Sequence, residues 1–322
     1  MPRIAVAEGD GIGKDVIPVA VRVLKAVRPD LEFFPVEVGY GRWERTGEAI
    51  TPAEIRAMKE ADAVLFGAVT TPPDPEYRSV VVRIRKELDL YANVRPVRGG
   101  EADLVIVREN TEGLYSGIEE VGPDRATTLR LITRRGSERI ARFACSLAKE
   151  RRHLTIGHKA NVLKADTLFR EVCIGVAEEA GVAFREKFID ALCLDVLQHP
   201  RDYDVIVTEN MFGDILSDVA AFLAGGLGML PSGNIGETHA LFEPVHGSAP
   251  KHAGKNTANP VAAVRSGAML LGHLGDRVGA ARIDEAIGRT LTAGVKTRDL
   301  GGTAGTVEMG DAIIADLGGD KT

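Results

Sequence analysis

Val205-Ile-Val-Thr-Glu-Asn-Met-Phe-Gly-Asp-Ile-Leu-Ser-Asp218 passes within one line from a short apolar run to an amphipathic one. Val205–Val207 reads as a buried strand and Phe212–Leu223 as a helix. A strand that feeds straight into a helix is the building unit of α/β proteins. The same alternation recurs outward in both directions. Arg3–Ala7, Ala63–Phe66, Leu104–Val107 and Leu154–Ile156 read as strands, and Asp15–Val27 as a helix. Ser137–Arg152 reads as another helix, with Ser137 as N-cap and Ile140, Phe143, Ala144 and Leu147 on one face. Lys149, Arg151 and Arg152 fall in its last turn, where the helix dipole favours cations. The expectation is an α/β fold with a largely parallel sheet. Ligands of such sheets gather beyond the carboxyl ends of the strands. Arg108–Glu112, His158–Asn161 and Thr208–Asp214 all follow strands, so a shared cleft is expected there.

Composition narrows the function classes. The chain has 322 residues, 44% hydrophobic and 27% charged, the balance of a globular protein with a buried core. Its formal net charge of -6 speaks against nucleic acid as the partner, while leaving room for a local basic pocket. Cys145, Cys173 and Cys193 are odd in number and far apart, so neither a disulfide framework nor a zinc knuckle is expected, and each reads as a small reduced core residue. No apolar run approaches the ~20 residues that cross a bilayer, and the amino terminus lacks a signal-peptide apolar region. The expected location is cytoplasmic, with no membrane contact.

Asp214 and Asp218 stand four apart, which puts both on one helical face. Two adjacent carboxylates repel unless a proton or cation sits between them. An oxygen-only donor set suits Mg²⁺ or Mn²⁺. On spacing alone, two solvated surface charges is the better reading. Arg85, Arg95 and Arg108 offer guanidinium forks for a di- or tricarboxylate; surface ion pairing is the alternative. Tyr115 and Lys159 are candidate proton carriers, with Tyr115 by itself reading more as a packed loop tyrosine. Gly9-Asp-Gly-Ile-Gly13 follows a strand and opens a helix, but its G-x-G-x-G spacing fails the dinucleotide template, so it reads as a tight turn. Phe242–Pro260 is dense in turn formers and in groups suited to phosphate or ribose.

Taken together these segments resemble the β-decarboxylating dehydrogenases: isocitrate, homoisocitrate and 3-isopropylmalate dehydrogenases. Asn210–Met229, Gly9–Gly13, Tyr91–Pro96, Arg108–Gly113, His158–Val162 and Glu243–Pro250 match the family's motifs in order along the whole chain. The resemblance implies a two-domain isocitrate/isopropylmalate dehydrogenase-like α/β fold, not a classical Rossmann fold. Residues 1–95 with 225–322 would form a large, cofactor-binding domain. Residues 96–224 would form a small one bearing metal ligands and dimer contacts. It implies a homodimer with shared sites, in which Lys159 and Asp190 act in the neighbour's cleft. Asp190, Asp214 and Asp218 would hold Mg²⁺ or Mn²⁺. Arg85, Arg95 and Arg108 would clamp a malate-type dicarboxylate, Lys159 would take the hydroxyl proton, and Tyr115 would protonate C3 after loss of CO₂.

Substrate choice would fall to Ser79, Val81 and Val82, just before Arg85. Where isocitrate enzymes typically place Ser-x-Asn, this chain has Ser79 and Val81. Where homoisocitrate enzymes can place arginine, it has Val82. Burying a carboxylate against valine would cost several kcal/mol, so 3-isopropylmalate is favoured, ahead of homoisocitrate and then isocitrate, although Arg78 and Arg83 lie close by. The implied cofactor set is Asn161, Glu243, His246, Gly247, Ser248, Ala249, Lys251, His252, Asn259, Arg298 and Asp299. Lys251-His252 resembles the Lys-Tyr pair of NADP-dependent isocitrate dehydrogenases and replaces an aspartate that NAD enzymes use. NADP is therefore favoured, with NAD possible.

Overall fold

The computed structural model describes residues 1–74 and 76–318. The chain divides into two compact units. The first holds Met1–Leu88, Gly225–Gly233 and the described residues from Glu237 on; the second holds Asp89–Ala224 and Asn234–Gly236.

The chain begins in the first unit with β1 (Arg3–Gly9), α1 (Gly13–Val27), β2 (Glu32–Pro35), α2 (Tyr40–Thr46), α3 (Pro52–Lys59), β3 (Ala63–Ala68) and α4 (Val80–Glu87). Local chemistry sets the boundaries. Thr51 opens α3 through a reciprocal capping box with Glu54, and Pro52 occupies the first helical position, where its missing N–H costs nothing. All six residues of β3 are buried, as a central parallel strand covered on both faces requires.

The second unit contains β4 (Ala92–Gly99), β5 (Ala102–Glu109), the small hairpin β6 (Glu119–Val121) and β7 (Ala126–Thr128), then α5 (Arg134–Glu150), β8 (Leu154–His158), α6 (Lys164–Ala180), β9 (Phe184–Phe188), α7 (Ile189–Gln198), β10 (Val205–Thr208) and α8 (Asn210–Ala224). Its sheet runs β4-β5-β10-β8-β9. β5, β10, β8 and β9 are parallel, whereas β4 pairs with β5 antiparallel through the turn at Gly99–Ala102. Ile140, Ala144, Cys145, Phe169 and Cys173 pack α5 and α6 on the sheet, while Cys193 is only half-buried.

The start of α5 corrects the sequence expectation. The cap is Thr133, whose hydroxyl accepts the Gly136 amide at 3.0 Å. Ser137 lies inside the first turn and donates to the Thr133 carbonyl at 2.8 Å. Thr133 wins because Glu112 holds both its amide (2.9 Å) and its hydroxyl (2.8 Å). At the other end the helix stops at Glu150, and Arg151 and the Arg152 amide turn aside to Asp204.

The chain then forms β11 (Pro231–Ile235), β12 (Ala240–Pro244), α9 (Val261–His273), α10 (Arg277–Thr292) and α11 (Thr306–Gly318). In the first unit the strand order is β2-β1-β3-β12-β11. β2, β1, β3 and β12 are parallel, and α1, α9, α10 and α11 pack together beside them. Neither unit has the Rossmann order. Among the described residues no helix is long and apolar enough to cross a membrane.

Candidate active site

β5, β10 and β8 are adjacent and parallel, so the residues that follow them emerge at one edge of the second unit's sheet. The β4–β5 register places Asn93 opposite Arg108. Arg95, two residues on from Asn93, shares its face, because side chains alternate along a strand. Arg95 is buried. It donates to Asn93 Oδ1 at 2.7 Å and to Ser217 Oγ at 2.5 Å, and its Nη2 lies 3.3 Å from Asp214. Arg108, 2% exposed, is the largest fully buried side chain among the described residues. Asn210 Oδ1 accepts from its Nε at 3.0 Å and its Nη2 at 2.7 Å, and its Nη1 pairs closely with Asp214.

Tyr115 lies in a single 3₁₀ turn, Leu114–Ser116, and donates its hydroxyl to Asp214 Oδ2 at 3.1 Å. Asp214 and Asp218 sit one turn apart on α8, both reachable by water. The Asp218 carboxyl is held above the usual range, first by partial desolvation and further by Asp214, against the pull of Arg95. The structure therefore gathers Arg95, Arg108, Tyr115, Asp214 and Asp218 into one cluster.

Lys159 and Asp190 form a separate pair in the same unit. Lys159 follows β8, and its Nζ reaches Asp190 Oδ1 at 2.5 Å, in the first turn of α7. The lysine lowers the Asp190 carboxyl below its ordinary range, and backbone N–H groups add to the effect. Asn161, in the same turn as Lys159, is exposed. Among the described residues, no group of three or more His, Cys, Asp and Glu side chains within the single chain is placed to hold a metal ion.

The remaining candidates lie in the first unit. Arg85 on α4 meets Glu243 on β12 at 3.1 Å, both buried. Val81 and Val82 precede Arg85 by four and three residues on α4, are half-buried, and share its face. Ser79 is the N-terminal flanking residue of that helix and makes no capping bond. The Gly9–Gly13 turn packs on the loop after β12: the Ile12 amide donates to the Ser248 carbonyl at 2.8 Å, and Thr70 meets Ser248 Oγ at 2.7 Å. Gly11, at φ +56°, is required there, since a Cβ would collide with that carbonyl.

Gly247 and Ala249 are exposed on the same loop, and Lys251 and His252 are exposed in a 3₁₀ turn that follows it. Burial keeps His246 below its usual pKa, hence neutral, and its Nε2 is buried without a hydrogen-bond partner. Asn259 is buried and donates to Asp299 at 3.0 Å, Thr297 also bonds Asp299 at 2.6 Å, and Arg298 is exposed.

Residues 3–313 match the family model for isocitrate/isopropylmalate dehydrogenase. The chain belongs to the isocitrate/isopropylmalate dehydrogenase family. An isocitrate/homoisocitrate dehydrogenase of Pyrococcus horikoshii is 44% identical over 98% of this chain and 92% of its own length. A 3-isopropylmalate/3-methylmalate dehydrogenase of Methanocaldococcus jannaschii is 45% identical over 97% of this chain and 98% of its own. Among solved structures, the isocitrate dehydrogenase of Methylococcus capsulatus aligns with a TM-score of 0.95 at 40% identity, covering 98% of this chain and 99% of that one.

As a member of the isocitrate/isopropylmalate dehydrogenase family the chain is a β-decarboxylating dehydrogenase, an oxidoreductase whose family works with a divalent metal and a nicotinamide cofactor. The donor sets fit both groups. Asp214 and Asp218 are hard oxygen donors whose mutual repulsion a cation relieves. His246 presents an orphaned buried nitrogen on a loop that also carries exposed cations.

Several residues in this family member escaped assignment from sequence. Asn93, Asn210 and Ser217 hold the arginines. Tyr77, just before the Ser79–Val82 segment, packs edge-on against Tyr40 and Trp43 at 6.0 and 5.6 Å and so anchors it. The polar residues lay within the quoted motifs or beside the arginines, which was the available signal.

Proposed function

We propose that this enzyme oxidises and decarboxylates a malate-type dicarboxylate with an apolar C3 substituent, 3-isopropylmalate in the first instance, using NADP⁺. The observation that carries the substrate choice is the shared face of Val81, Val82 and Arg85. The arginine's Nε is buried without a hydrogen-bond partner beside two half-buried valines. A carboxylate satisfies the first and an alkyl group the second. Arg83 is committed elsewhere, donating to the Ile50 carbonyl at 3.0 Å, which weakens the case for a third carboxylate there. Exposed Arg78 keeps homoisocitrate as the second reading. Exposed Lys251, His252 and Arg298 favour a 2′-phosphate, which a carboxylate would repel.

When bound, the divalent cation would supply Lewis-acid stabilisation of developing oxyanion charge, and the nicotinamide would supply the hydride acceptor. The protein does the rest. Arg85, Arg95 and Arg108 bind and orient the carboxylates. Lys159 Nζ takes the hydroxyl proton, and Tyr115 Oη delivers one to C3 once CO₂ has left. Asp214 and Asp218, with Asp190 of a second subunit, would hold the cation. Exposed Leu194 on α7 with Ile215 and Phe222 on α8 supports a homodimer.

A kinetic matrix of isopropylmalate, homoisocitrate and isocitrate against NAD⁺ and NADP⁺, with Mn²⁺, tests the substrate and cofactor. A higher kcat/KM for either tricarboxylate overturns the substrate choice. Co-expression of Lys159→Met with Asp214→Asn chains tests the shared site. Sharing restores one live site per heterodimer, about a quarter of parental activity for random pairing; self-contained sites restore none.

A further inference from the structure

Arg130 lies between β7 and α5, with its side chain 12% exposed. Its Nη2 is 2.6 Å from Asp166 Oδ1 and 3.4 Å from Glu209 Oε1, and its guanidinium lies over the Phe212 ring at 5.0 Å. Both carboxylates are buried, Asp166 at 0% and Glu209 at 1% exposure. Each also holds a piece of backbone. Asp166 Oδ2 accepts the Lys159 amide at 2.6 Å, at the turn that carries the lysine. Glu209 Oε1 accepts the Phe212 amide at 2.8 Å, closing the first turn of α8, the helix of Asp214 and Asp218. One guanidinium is thus the common counter-ion of two buried acids rooted in different parts of the site. Without it, the two buried carboxyls would lose the cation they share, and breaking a buried ion cluster by removing one partner is strongly destabilising. Burial already pushes the Glu209 carboxyl up, with Arg130 opposing.

We infer that Arg130 is a positioning residue that ties the Lys159 turn to the start of α8 through Asp166 and Glu209, so that one buried ion cluster sets both the aim of Lys159 and the retention of the divalent cation by Asp214 and Asp218. The inference rests on the roles proposed above for those three residues. With a site shared across a dimer, Lys159 and Asp214 of one chain serve different clefts. The tie then connects the two clefts through the protein interior.

The test uses Arg130→Met and Arg130→Lys in the full-length enzyme. Mn²⁺ affinity is read from free-ion electron paramagnetic resonance without substrate, kcat and KM are measured separately, and thermal unfolding is followed alongside. Residues that support ligands from outside the first contact layer typically change affinity or rate by about 10–100-fold. Arg130→Met is expected to lose about tenfold in Mn²⁺ affinity and at least as much in kcat, with Arg130→Lys recovering most of both. Should Arg130→Met fail to fold, the two arms are read separately. Asp166→Asn keeps an oxygen for the Lys159 amide but weakens the ion pair, and should lower kcat with Mn²⁺ affinity unchanged. Glu209→Gln should do the reverse. A folded Arg130→Met with parental Mn²⁺ affinity and kcat overturns the tie, as do losses in the two arm variants that merely follow thermal stability. Lys159→Met and Asp214→Asn run in parallel: if these keep parental turnover, the site reading fails instead.

Discussion

Asp214→Asn removes one charge and almost no volume from the centre of the arginine–carboxylate cluster. In the parent, Asp214 pairs with Arg108, lies 3.3 Å from Arg95 and accepts the Tyr115 hydroxyl at 3.1 Å. Asparagine still accepts from these donors, so the geometry should persist. Stability should change little. Losing the charge relieves repulsion with Asp218 but leaves two arginines facing one acid, and a partly exposed ion pair is worth about 0–1 kcal/mol. The cation feels the change far more. Unit charges ~4 Å apart interact by about 4 kcal/mol at an effective dielectric near 20, and a dication doubles that. Solvent reaching a carboxylate that is 35% exposed screens much of it. A residual loss of ~3 kcal/mol corresponds to roughly 100-fold weaker Mn²⁺ binding. Turnover should fall by at least that factor, because the same charge acts on the transition state. The assay pairs free-Mn²⁺ resonance with steady-state rates at saturating substrate, on protein whose thermal midpoint is checked first. Turnover within about tenfold of the parent, with Mn²⁺ affinity intact, would refute the reasoning.

Lys251→Asp should move cofactor preference toward NAD⁺, read as the ratio of kcat/KM values for the two cofactors; an unchanged ratio removes the basis for NADP. Asp204→Ala should be a pure stability variant. Asp204 is buried and accepts the Arg151 guanidinium and the amides of Arg152 and His153. Stranding them should cost about 3–5 kcal/mol, or a thermal midpoint roughly 4–7 °C lower for a chain of 322 residues, with turnover per folded enzyme at 25 °C unaltered. Asp195 gives a pH signature. Lys187 first, then the Tyr203 hydroxyl, hold its carboxyl well below the usual range. A depressed folded-state pKa contributes stability that is present above the unfolded value and is lost as pH falls toward the folded one. The stability deficit of Asp195→Asn should therefore shrink below about pH 4, the ordinary aspartate value; a deficit constant from pH 7 to 3 would contradict it.

What could be read from sequence depended on how local each cause was. Buried parallel strands such as β3, β8 and β10 are short apolar runs bounded by polar residues, so their presence was legible. Their ends were not: β5 extends through Glu109 because Arg108 and Glu109 are buried despite their charge. The cap of α5 was misread because the residue that selects Thr133 over Ser137 is Glu112, on a different segment. The reversal of β4 left no trace in hydrophobic periodicity, since a strand's pattern is the same in either direction. Yet that reversal creates the site, because only the antiparallel register sets Asn93 beside Arg108 and Arg95 on the same face. Asp214 and Asp218 were legible as a same-face pair. That their partners are Arg95 and Arg108, and that Asn210 and Ser217 steer those arginines, required the register and the helix docking together.

The segment Asn210–Asp218 is built around the burial of Arg108. A guanidinium this deep must be satisfied on several nitrogens or it destabilises the fold. Asn210 supplies one oxygen to two of them, and its own amide is spent on the Glu112 carbonyl at 2.9 Å, which fixes its orientation. Asp214, one turn on, takes the remaining nitrogen. For both to reach, α8 must lie almost against the arginine's stem, and the residue facing that stem is Gly213. A Cβ there would fall 2.6 Å from Arg108 Cβ and 2.7 Å from Thr208 Oγ1, too close for any side chain. The glycine is therefore a packing requirement, distinct from a turn. Ser217, one turn beyond Gly213, then meets Arg95, and Asp218 is left as the one acid of the helix with no guanidinium closer than 4.0 Å. That leaves Asp218, 60% exposed, as the carboxylate of the helix least engaged by arginine, while Asp214, 35% exposed, lies against both Arg95 and Arg108.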